Sequence, residues 1–185
     1  MKPPGRRRLG RRYTYQIWPD HPRRGQVRSF YEAVGRSLAA WQHVEAGLYE
    51  VYRALAASRR PGAEAAAFHA VEMFSAQLRM TDKAARFVFH DTKDKKSVEM
   101  LKKWVSLRNR ATKKSEKRND IVHQYCYIEF IEPDKERRIY LRPSMNNPFF
   151  NQTDIYTAKR IRELTKDFQK LSKDLFAFSR IIPEP

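Results

Sequence analysis

The sequence predicts a mainly α protein: an antiparallel helical bundle of about four long helices with a β-hairpin insertion before the last helix. Three observations carry this expectation. Apolar residues recur at spacings of three and four over four long stretches, the pattern of helices with one buried face. Proline, glycine or charge clusters separate those stretches. Residues 125–142 instead hold aromatic and β-branched runs on either side of a turn, as a hairpin does.

The first helix is expected over 29–60, with Val34, Leu38, Trp41, Val44, Leu48, Tyr52 and Leu55 as its apolar stripe. Ser29 is its candidate N-cap, with Glu32 three residues on completing a capping box. Arg59-Arg60-Pro61-Gly62 ends it with cations and then two breakers. The second helix is expected over 63–91, since Ala63 to Ala67 favour helix and Phe68, Val71, Phe74, Leu78, Thr81, Ala85 and Val88 continue a stripe. The short link makes these two helices antiparallel neighbours. The third is expected over 97–124. Its seam is bulky at Leu101 and Trp104, then small or polar at Arg108, Ala111, Ser115 and Arg118, before Val122. A face that turns small and polar meets solvent, a pocket or an interface. Tyr125 to Ile131 reads as a strand, Glu132-Pro133-Asp134-Lys135 as a turn, and Arg138 to Arg142 as the return strand. Phe149-Phe150, in the loop that follows, are expected to tuck against the bundle. The last helix, 154–182, repeats Ile161, Leu164, Phe168, Leu171, Leu175 and Phe178, with Thr153 or Asp154 as its cap. That seam either closes the core or pairs with a second chain.

The length of 185 residues suits one domain with extensions, and 41% apolar residues suffice for one core. The net charge of +17 favours polyanionic partners such as RNA, DNA or acidic membrane surfaces, against the plainer reading of a solvated basic surface. Residues 1–28 form a basic arm, with nine cations against one acid, Asp20. Arg6, Arg7, Arg8, Arg11 and Arg12 lie close to Tyr13, Tyr15 and Trp18, a mixture that suits phosphate contact and base stacking as well as a solvated tail. The domain proper is expected over 29–182. No apolar run approaches the roughly 18 residues of a membrane span, and the N-terminus lacks the apolar centre of a secretory signal. Cys126 is the single cysteine, so no intrachain disulfide forms and a reducing cytoplasm fits best. No metal-ligand cluster and no cofactor motif is visible, and His69 and His90 are assigned no role.

The chemistry concentrates at Arg118-Asn119-Asp120-Ile121-Val122-His123-Gln124-Tyr125. An arginine offers a fixed fork of donors for phosphate oxygens, and a histidine takes or gives protons near neutral pH. Lys113, Lys114 and Lys117 add positive charge beside them. Spacing alone says little: Arg36 and His43 also fit an R-x6-H spacing, and 23 arginines with five histidines produce such pairs by chance. The whole string resembles the R-x4-6-H signature of HEPN domains in its R-x4-H-x-Y form. That family's members are helical bundles, and many are metal-independent ribonucleases. The resemblance implies that Arg118 and His123 are the catalytic pair, Asn119 a polar positioner and Tyr125 an auxiliary. It implies an endoribonuclease that lets the RNA 2′-hydroxyl attack its own phosphate at a homodimer interface. In toxin members the tyrosine is modified by a partner nucleotidyltransferase, so such a partner or an antitoxin is also implied. The alternative is a non-catalytic HEPN-like module for nucleic-acid binding or helical assembly. Arg118 is then a buried hydrogen-bond hub and His123 a helix C-cap. Within one ideal helix a five-residue separation turns Arg118 and His123 about 140° apart. A shared two-chain site is therefore easier to build than a one-chain pair.

Overall fold

Two long helices that run parallel form the spine: α1 (Arg24–Ala56) and α5 (Ala158–Ser179). Their direction follows from paired contacts, since Ser29 meets Arg162, the His43 carbonyl accepts from Ser172, and Gly47 lies against Leu175. Between them in sequence come α2 (Ala63–His69), α3 (Phe74–Val88), α4 (Lys95–His123), β1 (Tyr125–Ile131), β2 (Glu136–Arg142) and β3 (Tyr156–Thr157). The computed structural model describes residues 24–57, 62–131, 136–142 and 155–183. The predicted N-terminal arm up to residue 23, the turn at 132–135 and Phe149-Phe150 lie outside them.

The mainly α architecture with a hairpin before the last helix is as expected from sequence. Helix α4 runs antiparallel to α1 and α5, with Arg110 paired to Asp174 and Lys114 to Asp167. Strands β1 and β2 pair antiparallel from Tyr125↔Arg142 to Ile131↔Glu136, and β3 adds a short third strand through Leu141↔Tyr156.

Several boundaries differ from the expectation, each for a physical reason. Helix α1 begins at Arg24, so the last residues assigned to the arm are helical and Ser29 is no cap; its hydroxyl accepts from Arg162 Nη2 at 2.8 Å. The helix expected over 63–91 is two helices broken at 70–73. Phe68 buries itself beside Tyr49 and Tyr52, and Phe74 then packs edge-on against Trp41 at 4.8 Å. One straight helix does not hold both. Gln77 Nε2 closes the break by donating to the Val71 carbonyl at 2.8 Å and, more weakly, to that of Phe68. Helix α4 starts two residues early because Asp94 caps it, accepting from the amides of Lys96 and Ser97. The cap of α5 is Thr157, not Thr153 or Asp154, because pairing with β2 keeps the chain extended to that point; the two expected caps lie outside the described residues.

The core centres on Trp41, which touches Phe168 as well as Phe74, and on Trp104, which stacks on Phe178. The buried face of α1 is narrower in side chain than its bulky residues suggest. Ala33, Ser37, Ala40 and Gly47 are buried while Val34 and Leu38 are only half-buried, so α1 and α5 approach closely along small residues. Gly47 marks the tightest point: a Cβ there would sit 3.0 Å from Leu175 Cβ and 3.4 Å from the Ser172 carbonyl. Gly35 is exposed, with nothing within 4 Å of an added Cβ. Gly47→Val is therefore expected to destabilise by about 1–3 kcal/mol through overpacking. Gly35→Ala should stabilise by about 0.5–1 kcal/mol by relieving backbone entropy in mid-helix. Urea unfolding of the two variants checks both signs; a stabilised Gly47→Val would contradict the close approach.

Candidate active site

The last turn of α4 carries the string singled out in the sequence. Ile121 is buried and holds that turn on the core, so the helix persists through His123. Gln124 is the C-cap; its amide donates to the Asp120 carbonyl at 3.1 Å and its extended backbone starts β1. His123 is thus the last helical residue rather than the cap.

A side-chain clasp fastens this turn to the start of α5. The Tyr156 hydroxyl donates to Asp120 Oδ2 at 2.6 Å, and Lys117 Nζ approaches the same oxygen at 3.4 Å. The Tyr156 ring is fully buried, with the Arg160 guanidinium 4.4 Å from its centre, and Arg160 Nη1 donates to the Ile155 carbonyl. Tyr156→Phe removes one buried hydroxyl and leaves Asp120 open to water. It should lower stability by about 1 kcal/mol and speed hydrogen exchange at the Gln124 amide. Unchanged exchange there would show that the clasp does not hold the helix end.

Arg118 stands on the core side of α4, seven residues after buried Ala111 and three before buried Ile121. Its Nη1 donates to Asn119 Oδ1 at 3.1 Å, and its Nη2 lies 4.0 Å from Glu45 Oε1. Glu45 itself accepts from the indole of Trp41 at 2.7 Å. The Arg118 Nε is shielded from solvent and has no partner among the described residues. The guanidinium is therefore half-buried, aimed at α1, and held by one hydrogen bond among the described residues. His123 and Asn119 are exposed, as is Tyr125, at 60%. Because α4 is unbroken between them, Arg118 and His123 leave the helix about 140° apart. The structure brings Arg118 to Asn119 and Glu45; it does not bring it to His123.

The flanking cations divide. Lys113 is exposed, whereas Lys114 is paired with Asp167 and Lys117 with Asp120. Arg6, Arg7, Arg8, Arg11 and Arg12 lie outside the described residues. Cys126 adjoins the site but is half-buried; burial pushes its thiol above the usual value, while a hydrogen bond with Tyr31 pulls the other way. It is poorly suited to act as a nucleophile. Among the described residues no group of three or more His, Cys, Asp or Glu side chains is placed to hold a metal ion, and no helix is long and apolar enough to cross a membrane.

Sequence reasoning overlooked Glu45, Asp120 and Tyr156. Asp120 was in plain view within the string. Glu45 follows Trp41 by four residues and so shares its helix face, but its contact with Arg118 is a tertiary event. No family model, no curated protein and no solved structure matches the chain.

Proposed function

We propose that the chain is a metal-independent endoribonuclease of HEPN type, working as a homodimer whose two α4 ends share one cleft. The observation that supports this most is the unbroken helix through His123, which leaves each chain with an arginine and a histidine on diverging faces. One chain offers one imidazole, and strand scission needs a base and an acid. Two copies related by a two-fold axis supply both. Val122 and Tyr125, exposed on either side of His123, offer apolar surface that a second chain would cover.

In this reading one His123 takes the proton of the RNA 2′-hydroxyl, and the freed oxygen attacks the adjacent phosphorus. The bond from phosphorus to the 5′-oxygen breaks, and the other His123 protonates the departing oxygen. The products are a 2′,3′-cyclic phosphate and a 5′-hydroxyl. Arg118 supplies donors for the phosphorane oxygens: its 4.0 Å approach to Glu45 is the loose limit of an ion pair, so a phosphate competes for Nη2. Asn119 steadies the guanidinium through its Oδ1. Tyr125, exposed next to the cleft, is free to contact a sugar or a base and is the residue a nucleotidyltransferase partner would modify.

A second reading rests on the same Glu45 contact. Arg118 facing α1 between Asn119 and Glu45 is also what a structural hub looks like, and the chain is then a non-catalytic nucleic-acid or assembly module. End-labelled RNA incubated with the protein in EDTA separates the two. The nuclease reading expects fragments ending in 2′,3′-cyclic phosphate; RNA that stays intact across a range of sequences supports the module.

A further inference from the structure

Helices α1 and α5 leave a groove of about 560 Å³ between them, lined by residues distinct from those of the α4 site. We infer that this groove is a second nucleic-acid contact, binding the sugar-phosphate backbone of an RNA strand without regard to its bases.

The charges argue for it first. Arg36 and His43 from α1 face Arg162 and Lys166 from α5, and Glu32 is the one carboxylate in the lining. Arg162 is held by a neutral partner, the Ser29 hydroxyl, and Lys166 has no ion-pair partner among the described residues. Both keep their full charge for a ligand. Arg36 is tied to Glu32 at 2.6 Å, so Arg162 and Lys166 carry most of the attraction; on α4, by comparison, Arg110, Lys114 and Lys117 are each matched by an aspartate and Lys113 is exposed. The pairing of Arg36 and His43, unremarkable as a spacing, thus acquires a place: one face of α1, opposite two cations of its neighbour.

Shape argues next. The lining runs from Ser29 to His43 along α1, a length of about 21 Å. Its fixed cations run from Arg162, at the level of Ser29, to Arg36, about 10 Å along α1, a span that suits two successive phosphates rather than one small anion. The floor is Ala33 and Ala40, both buried where α1 and α5 close on each other, so a strand lies over the seam of the two helices and not between them. Gln169 adds an amide at one side. Among the described residues no Phe, Tyr or Trp lines the groove and His43 is its single ring, at one end, so contact is chiefly through phosphates, which carry no sequence information. Exposed Arg28 continues the row one turn before Glu32, toward the basic N-terminal segment of the sequence.

The inference concerns binding only and does not require the α4 site to cleave. Its test uses the full chain and a fluorescent 2′-O-methyl uridine 12-mer, which lacks the 2′-hydroxyl that scission needs. The Arg162→Ala/Lys166→Ala protein is compared with Lys83→Ala/Lys102→Ala, which removes equal charge from exposed positions outside the groove. The groove variant should bind about tenfold more weakly, with a salt dependence shallower by about 1.4 in log–log slope, while the control changes little. Glu32→Gln, which frees Arg36, should tighten binding by up to about fivefold. An adenosine 12-mer should bind as the uridine one does. All three substituted groove residues are exposed, so thermal midpoints should match wild type; Lys166→Glu alone serves if the double variant does not fold. Equal losses in groove and control variants would overturn the inference. So would displacement of the 12-mer by equimolar tripolyphosphate, which would assign the groove to a small polyphosphate.

Discussion

Replacing His123 with alanine should slow RNA cleavage by about 10²–10⁴-fold, the usual contribution of a positioned acid–base group. The fold should not notice: His123 is exposed and makes no hydrogen bond among the described residues, so stability should stay within about 0.5 kcal/mol of wild type. Activity loss without stability loss separates a chemical role from a structural one. Arg118→Ala is a less clean experiment because it also strips Glu45 of a cation and leaves space beside α1. Arg118→Lys is the better companion, since it keeps the charge and removes the planar fork. Cleavage should fall for both His123→Ala and Arg118→Lys when measured as initial rates on end-labelled RNA. A His123→Ala protein as fast as wild type would remove the imidazole from the mechanism.

Truncating Trp104 to alanine should cost about 3–5 kcal/mol of folding stability, the range for a large aromatic taken from a core. Its ring is fully buried and stacks on Phe178 at 6.1 Å, joining α4 to α5. Its indole N–H also donates to Asp82 Oδ1 at 2.9 Å, joining α4 to α3. Arg108 and Arg86 both reach Asp82 Oδ2 at 3.0 Å. Partial burial alone would raise the Asp82 carboxyl, but hydrogen bonds from Arg86 and Trp104 and the Arg108 charge outweigh it and hold the group below its usual 3.8. A carboxyl depressed in the folded state contributes stability above its unfolded value and loses it as pH falls through the folded one. Trp104→Phe isolates this part, keeping most of the ring and losing the N–H. Its penalty should be present at neutral pH and shrink as the pH drops below 3.8. Urea titrations at neutral and acid pH measure both variants; a loss under 1 kcal/mol for Trp104→Ala would mean the core does not close around this ring.

What the sequence revealed and what it hid divide along the range of the forces involved. Local patterns gave the hairpin, because aromatic and β-branched residues flank a Glu-Pro-Asp-Lys turn, and they gave α5, because its three-four repeat is unbroken. The break between α2 and α3 has no glycine or proline to announce it. It depends on Tyr49, Tyr52 and Trp41 of α1 already being in place to receive Phe68 and Phe74. The small-residue face of α1 was hidden for a related reason. A reader of apolar stripes follows Val34 and Leu38, whereas close packing selects Ala33, Ser37, Ala40 and Gly47. In the candidate site, the divergence of Arg118 and His123 was legible from helix geometry once α4 was placed. The inward direction of Arg118 was also implicit in Ala111 and Ile121. Its approach to Glu45 and the clasp from Tyr156 to Asp120 were not, since both join residues far apart in the chain.

The central claim is that two chains build one active site, and mixing tests it most directly. Wild-type and His123→Ala proteins are unfolded together, refolded at constant total concentration, and assayed for RNA cleavage over a series of ratios. If each site needs a histidine from both chains, activity follows the square of the wild-type fraction, so an equal mixture retains roughly one quarter of the wild-type rate. Activity that falls only in proportion to the wild-type fraction, or a wild-type protein that cleaves RNA as a monomer in light scattering, would contradict the shared site.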